Sequence, residues 1–416
     1  MGKRTPIVII NDFSTREGGA GYLANALADN LAQQRYPVTF ICGDHGHDNW
    51  SDGVTPAPLK QTALLDGSKA AQAARGLYNR TVLKSVRNWI ENNDTDDTIY
   101  HLHNWSNILS PSIFDALAPV ADRCVIHAHD FFLACPNGVF LNFPRSEICT
   151  LTPLSTACLA TQCDKRNYPQ KLWRSARNAV MENRLRPHLA SAQFVLIHDA
   201  MRSLLTQNIQ PRKISVIGNP VTPFGLPVNA PEQQKGIAHI GRVQRLKGVF
   251  QLAAAGRALD TPVNFFGTGE DLNELRHTFP EHIYHGWTSR EDLAKHLQNM
   301  RAIVIGTQSP EPFCLAAFES LATGLPLIVS RAILAAPELT ETGAALDFNP
   351  DDATSLKTAL ARVIADDNLV AKLAKAARAQ PPTRTLSEWV AEHVVLYEKV
   401  IHAASSQYED AELVLS

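Results

Sequence analysis

The sequence has no large excess of either charge. Lys and Arg together number 39 against 41 Asp and Glu, which gives a formal net charge of -2 and a pI near 6.7. Proteins that bind nucleic acid through its phosphates usually carry a strongly basic face. We therefore expect no nucleic-acid partner.

Long apolar runs are also missing. No stretch approaches the roughly 18 apolar residues that a membrane-spanning helix needs. The N-terminal segment MGKRTPIVII has an apolar part too short for the core of a signal peptide, and Asn11 and Asp12 end it. We therefore expect a cytoplasmic protein whose seven cysteines are reduced thiols, because disulfides are rare in that compartment.

What the sequence does contain is enough apolar material for two α/β domains. Its 416 residues are 45% hydrophobic, and short β-branched segments alternate with helix-forming segments. Strand-like segments such as PIVII and IAHI open two successive series. We expect an N-terminal domain at 1–218, a C-terminal domain at 219–386, and a final helix at 387–416 that returns to the first domain.

The most informative stretch is GTQSPEPFCLAAFESLATGLPLIVS at 306–330. It predicts a buried strand end, a Pro-rich loop, a helix beginning near Phe313 or Cys314, and a second buried strand. Glu311 lies in the loop, and Glu319 follows eight residues later in the helix. A helix N-terminus suits phosphate, and carboxylates accept hydrogen bonds from sugar hydroxyls. The stretch therefore predicts a site for a sugar diphosphate.

This stretch resembles the donor site of retaining glycosyltransferases of family 4, which have the two-domain GT-B fold. The family pattern E-x-F-G-x-x-x-x-E-x-x-A-x-G-x-P is matched at Glu311, Phe313, Glu319, Ala322, Gly324 and Pro326. Cys314 stands where the family usually has glycine. The resemblance implies an α/β protein with two doubly wound, Rossmann-like domains facing a central cleft.

The same resemblance implies roles for the residues of the motif. Glu319 is expected to hold the ribose and Glu311 the hydroxyls of the donor sugar. The remaining donor contacts are expected at the start of the helix, at Phe313, Cys314 and Leu315.

Two cations precede this stretch in the motif G-R-x-x-x-x-K-G at 241–248. A departing nucleoside diphosphate carries concentrated negative charge, which fixed cations stabilise as the bond breaks. Arg242 and Lys247 match the G-R…K-G motif of the family in spacing and context. We expect them to do this work without a catalytic metal.

Two glycine pairs are further candidates for donor binding. Gly18 and Gly19 follow the first strand, and Gly267 and Gly269 form the GTGE turn of the second series. The resemblance implies that the first loop approaches the donor phosphate and the acceptor, and that the second contacts phosphate or base. A plain tight turn needs the same glycines, so this alternative stays open for each pair.

The segment RCVIHAHD resembles the family's strand that ends in His-Asp. The resemblance places His129 near the transferred sugar and its acceptor, with Asp130 beside it to orient or charge it. His127 lies two residues back, on the same face of the strand, and is expected to support it. The alternative is a purely structural His129.

The insertion at 131–168 holds four cysteines in turn-rich sequence: Cys135, Cys149, Cys158 and Cys163. Their spacing C-x13-C-x8-C-x4-C is looser than that of paired zinc knuckles. A similar cysteine-bearing insertion occurs in some enzymes of family 4. Free thiols and a structural zinc site are both open interpretations.

A basic stretch at 165–186 follows, with Tyr168, Leu172 and Trp173 interleaved. It predicts either a solvated helix face or a peripheral contact with an anionic membrane surface. The second interpretation suits an enzyme at the inner face of the membrane that acts on a lipid-linked acceptor.

The resemblance carried by these motifs implies a retaining hexosyltransferase of polysaccharide biosynthesis. It would move a sugar from a nucleotide-sugar donor to a glycan, lipid-linked or small-molecule acceptor. The alternatives are a nucleotide-sugar epimerase or phosphorylase of the same fold, and a two-lobed solute-binding protein. A phosphorylase needs a pyridoxal lysine site, for which the sequence offers no convincing candidate. The lack of an export signal argues against the binding protein.

Overall fold

The computed structural model describes residues 4–16, 18–63, 69–380 and 384–415. Contacts divide the chain into two compact units. The first comprises 1–139, 150–218 and 387–416, and the second comprises 140–149 and 219–386. The insertion at 131–168 was expected to belong wholly to the N-terminal domain. Its residues 140–149 instead group with the second unit and contain a short two-stranded hairpin.

The strands of the described residues alternate with helices along both units. In chain order they are β1 Ile7–Asn11, β2 Val38–Cys42, β3 Val54–Pro58, β4 Ile99–Leu102, β5 Cys124–Ala128, β6 Leu141–Asn142, β7 Glu147–Ile148, β8 Gln193–Leu196, β9 Lys213–Val216, β10 Gly236–Ile240, β11 Val263–Phe266, β12 Ile283–Gly286, β13 Met300–Ile305, β14 Leu327–Ser330 and β15 Ala345–Phe348.

The helices are equally regular in their placement between the strands. They are α1 Gly18–Gln33, α2 Lys69–Leu77, α3 Arg80–Asn93, α4 Ser112–Leu117, α5 Thr156–Ala160, α6 Tyr168–Leu185, α7 His188–Ser191, α8 Met201–Leu205, α9 Val249–Ala258, α10 Leu272–Thr278, α11 Arg290–Leu297, α12 Leu315–Ala322, α13 Ala336–Glu341, α14 Ala353–Ala365, α15 Asp367–Ala379 and α16 Leu386–Leu415. Among the described helices, none is both long enough and apolar enough to cross a membrane.

The first unit is built on a seven-stranded sheet in the order β3-β2-β1-β4-β5-β8-β9. Every neighbouring pair in it is parallel. The chain moves outward from β1 in one direction and then returns to β4 on its other side. Loops at the carboxyl ends of β1 and β4 therefore diverge, which is where doubly wound sheets bind ligands.

The second unit has a six-stranded parallel sheet in the order β12-β11-β10-β13-β14-β15. Successive residues of its central strands belong to two different apolar clusters. Ala238 and Ile303 pack in one cluster, whereas Ile237 and Val304 pack in the other. Both faces of the sheet are thus covered, which explains why its strands are continuous apolar runs in the sequence.

Two local features differ from what the residue pattern predicts. The region 44–67 looks like a loop in the sequence, but it contains β3, whose Pro56 and Pro58 are tolerated because β3 is an edge strand paired only with β2. The sequence at 68–91 predicts a single helix, but the structure divides it into α2 and α3, and Ser68 lies outside the described residues. The division occurs because the side chain of Asn79 caps α3, accepting from the amides of Thr81 and Val82.

Candidate active site

The loops after β10 and β13 meet at the centre of the second sheet. These strands are neighbours, but the chain leaves them toward opposite edges of the sheet, since β11 lies beside β10 and β14 lies beside β13. This is the switch point of a doubly wound sheet. It brings the 241–248 motif and the Glu311 loop together.

Lys247 and Glu311 form an ion pair at this point. The Nζ of Lys247 lies 2.7 Å from Oε1 of Glu311. The lysine closes a 3-10 turn, and Gly248 follows it with φ +69°. A Cβ on Gly248 would lie 2.0 Å from the carbonyl oxygen of Gly306, so only glycine permits this approach of the two loops. Glycine at 248 is therefore part of what positions Lys247.

The backbone of Glu311 is fixed from the other side. Its carbonyl accepts from the amide of Leu334 at 3.0 Å, and its amide donates to the carbonyl of Ala332 at 3.3 Å. The loop therefore presents the Glu311 carboxylate on an anchored backbone. Among the described residues, its buried Oε2 has no hydrogen-bond partner of good geometry, whereas Oε1 is held by Lys247.

The electrostatics favour the charged forms of both side chains. Burial by itself would raise the pKa of Glu311, but the nearby Lys247, the Thr307 hydroxyl and the charge of Arg242 bring it below its ordinary value. Burial likewise opposes the charge on Lys247, and Glu311 more than compensates, so the pKa of the lysine is raised. The side chains are 23% and 21% exposed respectively, so the charges remain accessible to solvent and to a ligand. Arg242 is exposed.

The helix α12 begins immediately after this loop. Cys314 occupies its N-cap position with φ -78° and makes no side-chain capping bond to the described residues. Cysteine adopts this φ without strain, so the glycine that the family uses here is not required by the backbone. Burial raises the pKa of the Cys314 thiol to about 12, so it is uncharged at neutral pH. Phe313 stacks on Phe318 with ring centroids 4.3 Å apart, and Leu315 is the first helical residue.

Glu319 on α12 has a partner that the sequence analysis missed. Both terminal nitrogens of Arg290 lie 3.0 Å from Oε1 of Glu319. Arg290 also donates to the carbonyl of Pro223 at 2.9 Å and to that of Thr222. Burial raises the pKa of Glu319, and Arg290 partly offsets the rise. No local motif marks Arg290, since it lies on α11 and 29 residues before its partner.

The glycines of the GTGE turn have a structural explanation. A Cβ on Gly267 would lie 2.0 Å from the carbonyl oxygen of Gly241, and one on Gly269 would lie 2.2 Å from that of Val243. Gly267 also has φ +134°. The turn after β11 is thus packed backbone to backbone against the loop that carries Arg242. Their contact with a donor stays a prediction.

In the first unit, Gly18 and Gly19 form the exposed start of α1, after the loop that follows β1. Gly18 has φ +73°, and a Cβ there would meet no atom within 4 Å. Glycine at this position is therefore explained by backbone conformation and not by crowding. Donor binding by this pair stays a prediction.

His129 lies just beyond the end of β5, where its partner is another histidine. Its Nε2 is 2.9 Å from Nδ1 of His103, and burial lowers its pKa to about 3. The expectation that Asp130 orients or charges it was wrong. Asp130 accepts from the amide of Phe132 at 2.9 Å, and burial raises its pKa to about 6. At neutral pH His129 is an uncharged imidazole.

The four cysteines of the insertion are divided between the two units. Cys135, Cys158 and Cys163 belong to the first unit and Cys149 to the second. The Nζ of the buried Lys171 lies 3.2 Å from the sulfur of Cys158. Across the described part of the chain, no three cysteine sulfurs lie within 4.8 Å of one another. Zinc binding by these residues stays a prediction.

Comparison with known proteins gives a family match within the second unit and similar structures for the whole fold. Residues 227–380 match the family described as Glycosyl transferases group 1. They contain Arg242, Lys247, Glu311 and Glu319. No curated protein matches the chain in sequence.

Solved structures resemble the chain over almost its whole length. Sucrose-phosphate synthase from Thermosynechococcus elongatus is 15% identical, with a TM-score of 0.66 over 99% of this chain and 100% of that one. WaaG, a glycosyltransferase involved in lipopolysaccharide biosynthesis, is 13% identical, with a TM-score of 0.67 over 94% and 99%. The fold is GT-B.

A third similar GT-B structure holds a nucleotide. The Anabaena protein HepE, solved in complex with UDP and glucose, is 15% identical, with a TM-score of 0.60 over 97% of this chain and 100% of that one. The matched segment resembles a glycosyltransferase domain, and these likenesses show the GT-B fold. The two Rossmann-like domains expected from the sequence are confirmed.

Proposed function

We propose that the protein is a retaining glycosyltransferase that moves a hexosyl group from a nucleotide-sugar donor to a glycan, lipid-linked or small-molecule acceptor. The observation that carries the proposal is the Lys247–Glu311 ion pair at the switch point of the second sheet. A cation and a carboxylate held 2.7 Å apart suit a ligand that carries phosphate and hydroxyl groups side by side.

The residues of the second unit divide the work of binding the donor. Lys247 and the exposed Arg242 interact with the diphosphate, and the first turn of α12 offers its backbone amides to the same charge. The Glu311 carboxylate, whose side chain is partly exposed, accepts from hydroxyls of the donor sugar. Glu319, held by Arg290, accepts from the ribose.

Electrostatic stabilisation is the main catalytic effect. As the glycosidic bond to the diphosphate breaks, negative charge accumulates on the leaving oxygen, where Lys247 and Arg242 stabilise it. The leaving phosphate then helps to deprotonate the acceptor, which attacks on the same face of the sugar and retains its configuration. His129, uncharged at neutral pH, is assigned to the acceptor side of the sugar.

UDP-sugars are the first donors to test, because HepE was solved with UDP and with UDP-glucose.

Membrane contact through 165–186 would hold the protein near a lipid-linked acceptor. Tyr168 and Leu172 are exposed on α6, whereas Lys171 and Arg177 are buried. The contact is therefore proposed for the exposed residues only, and vesicles of anionic lipid test it by cosedimentation.

The test is turnover of a panel of nucleotide sugars with and without glycan and lipid-linked acceptors. We expect release of the nucleoside diphosphate, stimulated by one acceptor class, and a product with the anomeric configuration of the donor. An inverted product would contradict retention. Conversion of the donor to its epimer without an acceptor would instead assign the protein to the epimerases.

A further inference from the structure

Four histidines form a stack within the first unit, at the carboxyl ends of β4 and β5. His101 and His103 occupy alternate positions along and just beyond β4, and His127 and His129 do so on β5, so each pair shares one face. The ring centroids of His127 and His129 are 4.1 Å apart, and those of His101 and His103 are 4.2 Å apart. His101, His103 and His127 are at most 2% exposed.

Hydrogen bonds within the stack cannot satisfy all of its ring nitrogens. His101 Nε2 lies 3.2 Å from His127 Nδ1, and His103 Nδ1 lies 2.9 Å from His129 Nε2. A neutral imidazole has one donor and one acceptor nitrogen. Whichever tautomers are present, the Nε2 atoms of His103 and His127 have no partner among the described residues. Buried, unpaired ring nitrogens are costly, and a ligand that binds Nε2 of His103 would remove one of these costs.

We propose that His101, His103 and His127 form a binding site for a divalent transition-metal ion of the zinc class. Each offers one ring nitrogen, and these three atoms lie within 4.8 Å of one another. Two nitrogens at about 2.05 Å from a tetrahedral zinc lie about 3.3 Å apart. The 3.2 Å between His101 Nε2 and His127 Nδ1 matches that separation, so the ion can take the place of this hydrogen bond.

The surroundings of the three rings support the same conclusion. Metal-ligating histidines are usually held through their second ring nitrogen by an outer partner. The hydroxyl of Tyr397 lies 2.7 Å from Nδ1 of His101, and His129 holds Nδ1 of His103. Both contacts occupy Nδ1, so His101 and His103 would each bind the ion through Nε2. Imidazole ligands favour zinc, copper, nickel and cobalt over magnesium or calcium.

The consequence is a metal that connects β4, β5 and, through Tyr397, α16 within the first unit. It would fix the ring of His103 and with it the neighbouring His129. This proposal stands on the histidine geometry and does not depend on the proposed glycosyltransferase function.

The experiment is metal loading of the full-length chain. Protein stripped with chelator is incubated with Co²⁺ or Zn²⁺, passed through a desalting column, and measured by elemental analysis and absorption spectroscopy. We expect about one ion per chain and the visible bands of tetrahedral cobalt without strong near-ultraviolet thiolate-to-cobalt bands. Tyr397→Phe should weaken binding about 10- to 100-fold by removing an outer partner.

The variants separate this site from the cysteines. His127→Asn should abolish stoichiometric binding, whereas Cys158→Ser should retain it. The control is His188→Asn, which replaces another buried histidine of the first unit and should also retain binding. A chain that keeps no ion overturns the proposal. So do thiolate bands, or loading that survives His127→Asn but not Cys158→Ser. If His127→Asn does not fold, the cobalt spectrum of the unmodified chain decides.

Discussion

The ammonium of Lys247 lies 2.7 Å from the carboxylate of Glu311, although 64 residues separate them in the chain. Each follows one of two neighbouring strands at the centre of the second sheet. This arrangement holds a cation and a carboxylate together at the switch point, where we propose that they bind the phosphate and the hydroxyls of the donor.

Lys247→Ala should lower turnover by about two to three orders of magnitude, as loss of one electrostatic group aimed at developing charge does. The physical reason is that the leaving diphosphate loses its nearest cation. Steady-state kinetics with a nucleotide-sugar donor measure the effect, and circular dichroism checks the fold. The matched control is Lys295→Ala, which removes an exposed lysine of the same unit. Equal turnover of the Lys247 variant and this control would exclude the assigned role.

Glu311→Gln should affect the sugar and the diphosphate differently. The amide is a poorer acceptor for sugar hydroxyls, but its neutrality frees Lys247 to interact with phosphate. We therefore expect weaker use of the sugar donor and unchanged or tighter binding of the bare nucleoside diphosphate, measured by calorimetry. Glu274→Gln removes an exposed, ion-paired carboxylate of the same unit and is the control. If both ligands bind more weakly to the same extent, Glu311 does not contact the sugar.

Glu319→Gln should reduce the preference for a ribonucleotide over its 2′-deoxy counterpart. A hydrogen bond to a charged acceptor contributes about 1.5–3 kcal/mol, which corresponds to about 10- to 100-fold in affinity. The ratio of UDP to dUDP dissociation constants measures the change, because both nucleotides share the same phosphates and base. Arg290→Ala should shift the ratio in the same direction, since Arg290 holds Glu319. If the ratio is unchanged in both variants, Glu319 does not contact the ribose.

His239 should make the folded protein less stable in mild acid. Burial lowers its pKa from its ordinary 6.5 to about 4, so between these values the unfolded chain binds a proton that the folded chain does not. Stability from this group is therefore complete above about pH 6.5 and is lost as pH falls toward the folded pKa. The loss is on the order of 2 kcal/mol between pH 7 and pH 5.

Chemical denaturation at several pH values tests this dependence. His239→Phe keeps a ring but removes the titrating group, so its free energy of unfolding should fall less steeply with acid than that of the unmodified chain. His277→Phe, at an exposed position on α10, should leave the slope unchanged. Parallel slopes for His239→Phe and the unmodified chain would contradict the neutral, buried His239.

The fold was predictable because its strands are buried on both faces and read as apolar runs, as AIVI in β13 does. The two-domain GT-B architecture is confirmed. β3 was missed because two prolines in five residues argue against a strand unless its place at the sheet edge is known. The break between α2 and α3 was missed because Asn79 caps α3 only when its backbone is extended, and the sequence does not show that conformation.

The candidate site was predictable only where a motif lies within one loop. Lys247, Glu311 and Glu319 follow local patterns, and their roles stay predictions. Arg290 contacts Glu319 across the fold from a helix without a motif. The histidine stack was visible as separate letters in TIYHLH and RCVIHAHD, but its assembly depends on β4 and β5 being neighbours. Neither segment by itself shows which strands are neighbours in the sheet.

The most direct test of the central claim is calorimetric titration of the full-length chain with UDP and the other nucleoside diphosphates, without added metal. We expect one binding site per chain, with an affinity at least about tenfold lower in Lys247→Ala and unchanged in Lys295→Ala. If no nucleoside diphosphate binds, or if Lys247→Ala binds as tightly as the unmodified chain, the ion pair at the switch point is not a donor site.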